Sequence, residues 1–85
     1  MRTNFLPGEF LFDESTARPF ITDGTINADG YGVLIGYTAE GRLCRSSGQG
    51  NFQKDIDPRY ATREEKEWLI NQIRIAKDIP FYSCI

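Results

Sequence analysis

Histidine is missing from this chain. Its absence removes the commonest general base, the commonest metal ligand and every Ser-His or Cys-His nucleophile pair. Cysteine is nearly missing: Cys44 and Cys84 are the only two, far apart. In a reducing compartment such a pair reads as two small buried hydrophobes with free thiols, not as a disulfide framework. No apolar run approaches the roughly 20 residues a membrane span needs, and the start, MRTNFLPGEF, has no signal-peptide core. The chain is therefore expected to be cytoplasmic and to have no membrane partner. Charge of one sign is also lacking. Ten basic and twelve acidic side chains give −2, which argues against a uniform positive field for holding nucleic acid.

What remains is enough for one small domain. At 85 residues the chain has a single core, and eleven aromatics (six Phe, four Tyr, one Trp) are available to fill it. The charge is unevenly spread. Residues 1–41 carry Arg2 and Arg18 against Glu9, Asp13, Glu14, Asp23, Asp29 and Glu40, a balance of −4. Residues 42–59 carry Arg42, Arg45, Lys54 and Arg59 against Asp55 and Asp57, a balance of +2.

The plainest local signal is the segment Ala61 to Lys77. Thr62 offers an N-cap hydroxyl and Glu65, three residues on, returns the bond, the capping-box pattern. The spacing predicts a helix over 63–77, with Leu69, Ile73 and Ala76 on one stripe, Trp68 and Ile70 flanking it, and Glu64, Glu67, Asn71 and Arg74 on the far side. Asp78-Ile79-Pro80 ends it, because the residue before proline is pushed toward extended geometry.

Upstream, residues 5–56 read as β-rich. Glu9–Asp13 is a strand with Phe10 and Phe12 on one face, and Arg18–Thr22 a second, with Pro19 confined to a start or an edge. Asp23-Gly24 and Asn27-Ala28-Asp29-Gly30 are turn chemistry. Tyr31–Tyr37 is the strongest strand, with Tyr31, Val33, Ile35 and Tyr37 on one face and Gly32, Leu34 and Gly36 on the other. The glycine face is nearly bare and is expected to receive Trp68 or Leu69 of the helix. Thr38-Ala39-Glu40-Gly41 turns the chain, with Gly41 taking a positive φ, and Arg42–Arg45 returns. Residues 46–51 are a polar loop, Phe52–Ile56 a short strand, and Asp57–Tyr60 leads into the helix. The apolar tail, 79–85, is expected to add an edge strand or pack on the sheet. These elements define an α+β domain, a mainly antiparallel sheet of four or five strands covered by one C-terminal amphipathic helix.

Motifs that carry chemistry are weak. The carboxylate pairs Asp13/Glu14, Asp55/Asp57 and Glu64/Glu65 sit in polar loops or at a helix start and read as solvated turn or capping residues. Gly48-Gln49-Gly50-Asn51 lacks the Lys-Ser/Thr ending of a P-loop and the third glycine of a dinucleotide turn. No catalytic residue, metal site or cofactor is predicted, and the chain is not expected to be an enzyme. The best candidate site is the interleaving of Arg42, Arg45, Phe52, Arg59 and Tyr60, with Lys54 among them. Arg and Tyr dominate protein interface hot spots, so the first reading is a binding surface for a partner protein. The alternative is a nucleic-acid or nucleotide binder, with aromatics stacked on bases beside arginines. The bland reading makes Phe52 and Tyr60 core residues and pairs the cations with Asp55 and Asp57.

The run Asp57-Pro58-Arg59-Tyr60-Ala61-Thr62-Arg63-Glu64-Glu65-Lys66, an R-Y-A-T-x-E-E-K pattern before an amphipathic helix, together with Leu6-Pro7-Gly8-Glu9-Phe10-Leu11, resembles small uncharacterised proteins of Bacteroidetes, their phages and mobile elements. The resemblance implies a mobile-element accessory protein that binds a host component, transfers no catalytic residue, and leads to the expectation of a protein that binds or inhibits a host protein. A homodimer formed by strand addition through residues 81–85 is a further expectation.

Overall fold

The computed structural model describes residues 5–38, 40–46, 52–76 and 78–80. In chain order it contains β1 (Phe10–Asp13), β2 (Arg18–Asn27), β3 (Gly30–Tyr37), β4 (Leu43–Arg45), β5 (Phe52–Gln53), β6 (Pro58–Tyr60) and α1 (Arg63–Ile75). All pairings are antiparallel, in the order β4-β3-β2-β1-β6, with β5 also on β3. The α+β class and the covering C-terminal helix are as the patterning predicts, with six strands instead of four or five. The Cα radius of gyration, 11.9 Å, is that of a packed chain of this length, about 12 Å.

The helix forms for the reason its sequence gives. Thr62 Oγ1 accepts the Glu65 N–H at 3.2 Å and Glu65 Oε1 accepts the Thr62 N–H at 2.8 Å, closing the box. The helix ends at Ile75, with Ala76 turning extended ahead of Pro80. The tight connections also follow local chemistry. Asn27 Oδ1 accepts the Asp29 N–H in the two-residue β2–β3 loop, and Gly41 takes φ +88° in the β3–β4 turn, a conformation that costs a β-carbon.

Three sequence expectations are corrected. Asp23-Gly24 is no chain-reversing turn: it lies inside β2, where the register against β3 shifts between Thr22 and Ile26 and Gly24 takes φ +87°. This is a β-bulge, which bends the strand without ending it. Pro58–Tyr60 is no simple lead-in, because it pairs with β1 as the edge strand β6. Finally, β3 does not alternate uniformly. Ile21 pairs with Ile35 but Thr22 with Val33, so an extra residue on β3 moves Val33 to the face opposite Ile35 and Tyr37. Gly32 and Gly36 therefore lie on opposite faces.

The consequence is a sheet with two different apolar sides. On one, Leu11, Phe20 and Val33 form a buried cluster with Phe5, covered by Ile26, Tyr31 and Ile56. The link from β5 to β6 crosses this side and sets Ile56 over the core. On the other side Phe10, Phe12, Pro19 and Ile21 share a face, and α1 lies there against β1 and β2. Leu69 is fully buried at this contact. The glycine face does not receive the helix as expected: a β-carbon on Gly32 would overlap the Asp23 carboxylate, and Trp68 stacks on Tyr37, centroids 6.0 Å apart and planes 29° apart. The helix roofs one side of the sheet, while the main core is on the other.

The expected tail strand and dimer contact, 81–85, the Gly48–Asn51 loop and Cys84 lie outside the described residues. The described start of the tail meets β4, where the Arg45 N–H donates to the Pro80 carbonyl at 3.1 Å. No helix among the described residues is long and apolar enough to cross a membrane.

Candidate functional site

Two carboxylates are structural: Asp13, which the sequence places in a solvated turn, and Glu65, the expected capping residue. Asp13, only 4% exposed, ends β1 facing the main core. Its Oδ1 accepts from Ser15 N–H (3.0 Å), Ser15 Oγ (2.7 Å) and Asp57 N–H (2.9 Å), and its Oδ2 from Thr16 Oγ1 (2.7 Å). Burial pushes the Asp13 pKa up, but the hydrogen bonds from Asp57, Ser15 and Thr16 outweigh it and hold the carboxyl below its ordinary value. With the Glu14 N–H to Asp57 carbonyl bond, 3.0 Å, this pins the β5–β6 link to the end of β1. Such a carboxylate is spent on folding.

Glu65 is the second. Besides capping the helix, it grips Arg59 with both oxygens, Nη1 to Oε1 and Nη2 to Oε2 at 2.8 Å each. Arg59 Nε meets Glu14, its Nη1 also donates to the Tyr60 carbonyl at 3.0 Å, and its guanidinium lies 4.6 Å above the Phe12 ring. The two carboxylates strengthen the proton's hold on Arg59, while Arg59 pulls the Glu65 pKa down to about 2. Every Arg59 nitrogen is committed within the fold.

The five candidate binding residues are thereby distributed. Arg42 and Arg45 belong to the exposed β4 end of the sheet, and Phe52, half-buried, pairs with Gly32 on the same outer edge of β3. Arg59 and Tyr60 stand on β6, at the far end of the strand order, and alternation points them to opposite faces. Tyr60 is 52% exposed and meets Phe5 edge to face, centroids 5.3 Å apart. Arg59 bonds to Glu14 and Glu65, not to Asp55 or Asp57. Sheet order brings Arg42, Arg45 and Phe52 to one edge and Arg59 and Tyr60 to the other.

A different constellation is concave. Phe12, Ala17, Pro19, Glu64, Glu65 and Trp68 line an open, mainly apolar hollow of about 280 Å³ between the β1–β2 turn and the first turns of α1. Three of the lining side chains are held from behind. Phe12 carries Arg59, Glu65 is locked by that arginine, and Trp68 rests on Tyr37. The Tyr37 hydroxyl is buried with no hydrogen-bond partner among the described residues, and burial raises its pKa, partly offset by Arg18. Trp68 is still 49% exposed. The sequence held a signal for this site, a tryptophan one position off the buried helical stripe, but the other wall comes from a turn some 50 residues earlier whose placement depends on the sheet register.

Among the described residues no three His, Cys, Asp or Glu side chains are grouped to hold a metal ion. Cys44 is buried with a free thiol. Comparison with known proteins returns no match: no protein-family model, curated protein or solved structure is similar to this chain.

Proposed function

We propose that this chain is a non-catalytic interaction domain, an accessory protein of a phage or mobile element, which binds and inhibits a host protein through the hollow between α1 and the β1–β2 turn. One observation carries the reading. Trp68, the chain's sole tryptophan, is half exposed at the rim of a preformed apolar concavity. A large aromatic held rigid on a folded surface loses little conformational entropy on binding, which is why such side chains anchor protein interfaces. The accessory role is supported by the R-Y-A-T-x-E-E-K resemblance. The nucleic-acid alternative has less behind it, because Arg59 is neutralised by Glu14 and Glu65 and the other candidate arginines, Arg42 and Arg45, stand at the opposite end of the strand order from Tyr60.

The test is a comparative pull-down from a Bacteroidetes lysate with wild type, Trp68→Ala and Arg42→Ala/Arg45→Ala, each first shown to unfold cooperatively in urea. A protein retained by wild type and by the double variant but lost from Trp68→Ala is the expected result. A partner indifferent to Trp68 sinks the assignment of this hollow. Titration with single-stranded oligonucleotides at low salt decides the alternative, since binding that weakens steeply with added salt would establish phosphate contacts.

A further inference from the structure

Resting on that reading, we infer that the hollow takes a basic side chain, a lysine or arginine presented by the partner protein. The face carrying α1 already sets a cation over an aromatic ring twice from its own residues, once with a carboxylate completing the group. Arg59 lies over Phe12 with its charge met by Glu65, and Lys66 Nζ lies 5.2 Å from the Phe10 ring centroid. A third aromatic, Trp68, shows the same components with one missing. Its indole is exposed, Glu64 stands one turn earlier on the same helix and lines the same hollow, and among the described residues no cation faces either of them. Glu64 has no ion pair or hydrogen bond there, whereas Glu14, Glu65 and Glu67 each have an arginine. A first-turn glutamate favours the helix dipole, which accounts for an acid at this position but not for an uncovered tryptophan beside it.

The chemistry fits one class of occupant. The methylene stem of lysine or arginine matches apolar walls made by Phe12, Pro19 and Trp68, and the indole face attracts a cation more strongly than phenyl or phenol rings do. Glu64 supplies the counter-charge at the rim. An acidic or phosphorylated group meets repulsion at the same place, because the one unpaired charge in the lining is the Glu64 carboxylate, Glu65 being met by Arg59.

The experiment uses the intact chain immobilised as bait for a random dodecapeptide display library, with Trp68→Ala as the counter-selection. Enriched peptides are synthesised and titrated by the fluorescence of the single tryptophan. The expected motif contains an essential Lys or Arg beside an apolar residue. Replacing that residue by norleucine weakens binding by about ten-fold, the order of a cation–π contact plus one ion pair, and Glu64→Gln weakens it by about three-fold, the order of the ion pair alone. The exposed Glu64→Gln site leaves the core intact, so a loss there is not a folding defect. Enriched peptides that lack a basic residue, need Trp68 and ignore Glu64→Gln overturn the inference while leaving the hollow as the docking site. Enrichment indifferent to Trp68, or no enrichment over the counter-selection, overturns both.

Discussion

Glu65 closes the N-terminal cap of α1 through Oε1 and grips Arg59 of the edge strand with both carboxylate oxygens, at 2.8 Å each. One side chain thus ties the helix start to β6, and through Phe12 under the guanidinium, to β1. The two roles separate by substitution. Glu65→Gln keeps an acceptor for the Thr62 N–H and loses the ionic grip; Glu65→Ala loses both. A lost capping interaction costs about 0.5 to 2 kcal/mol and an exposed pair about 0 to 1 kcal/mol. Urea midpoints at unchanged slope are therefore expected in the order wild type, Glu65→Gln, Glu65→Ala. Equal midpoints for the two variants would show that the cap contributes nothing.

The same pair sets an acid dependence. The Glu65 pKa is held near 2 in the folded chain, below the ordinary 4.5, so between these values the unfolded chain binds the proton first. Its stabilisation is complete above about pH 4.5 and is lost as pH falls toward 2. The depressed Asp13 carboxyl acts in the same direction, below its ordinary 3.8. Stability measured by urea at pH 6, 4 and 3 should fall across that series, and Arg59→Met should flatten the decline. An undiminished slope in Arg59→Met would contradict the assignment.

Asp13 is expected to be the costliest polar position. Asp13→Ala strands the Asp57 and Ser15 N–H groups beside the core, at about 1 to 3 kcal/mol for each unsatisfied group. Asp13→Asn retains an oxygen for both and should be much milder. Amide exchange at Asp57 supplies a local reading, with protection lost in the alanine variant at a temperature where the remaining strands stay protected.

Two glycines should differ sharply. Gly30 has φ +115°, and a β-carbon there would overlap the Gln53 carbonyl, which is β5 backbone. Gly30→Ala combines backbone strain of about 1 to 3 kcal/mol with displacement of β5. At Gly32 the obstacle is the Asp23 carboxylate, the movable end of a side chain that holds the Thr25 N–H at 2.8 Å. Gly32→Ala should swing it aside and cost about one such hydrogen bond, roughly 1 kcal/mol. Thermal midpoints compare the two, and a Gly32 variant as unstable as the Gly30 one would mean that Asp23 is rigidly held.

Tyr37→Phe removes a buried hydroxyl that has no partner while keeping the ring on which Trp68 rests. An orphaned hydroxyl is destabilising, so the variant should match or exceed wild type in urea midpoint and leave the Trp68 emission maximum unmoved. A clear loss of stability would reveal a partner for the oxygen.

Legibility in the sequence followed distance along the chain. The capping box spans four residues and the Gly41 turn five, so both could be read directly. Asp13 could not: its burial depends on a backbone amide 44 positions later. Arg59 looked like a free surface cation because one of its carboxylates lies 45 residues away. The extra residue on β3 defeated the alternation rule, since nothing local says that Val33 and Ile35 part company between faces. Edge strand β6, three residues containing a proline, carries too little pattern to be recognised, and so the partition of the candidate site between the two ends of the sheet was invisible as well.

Strand β6 reaches β1 only after the chain has been laid down to Tyr60, so the first hairpins must wait with one flank of β1 open. Closing that long loop is entropically slow, and a nascent or C-terminally clipped chain presents the uncovered flank to neighbours. Such a molecule should owe its solubility during synthesis to how quickly its final third arrives.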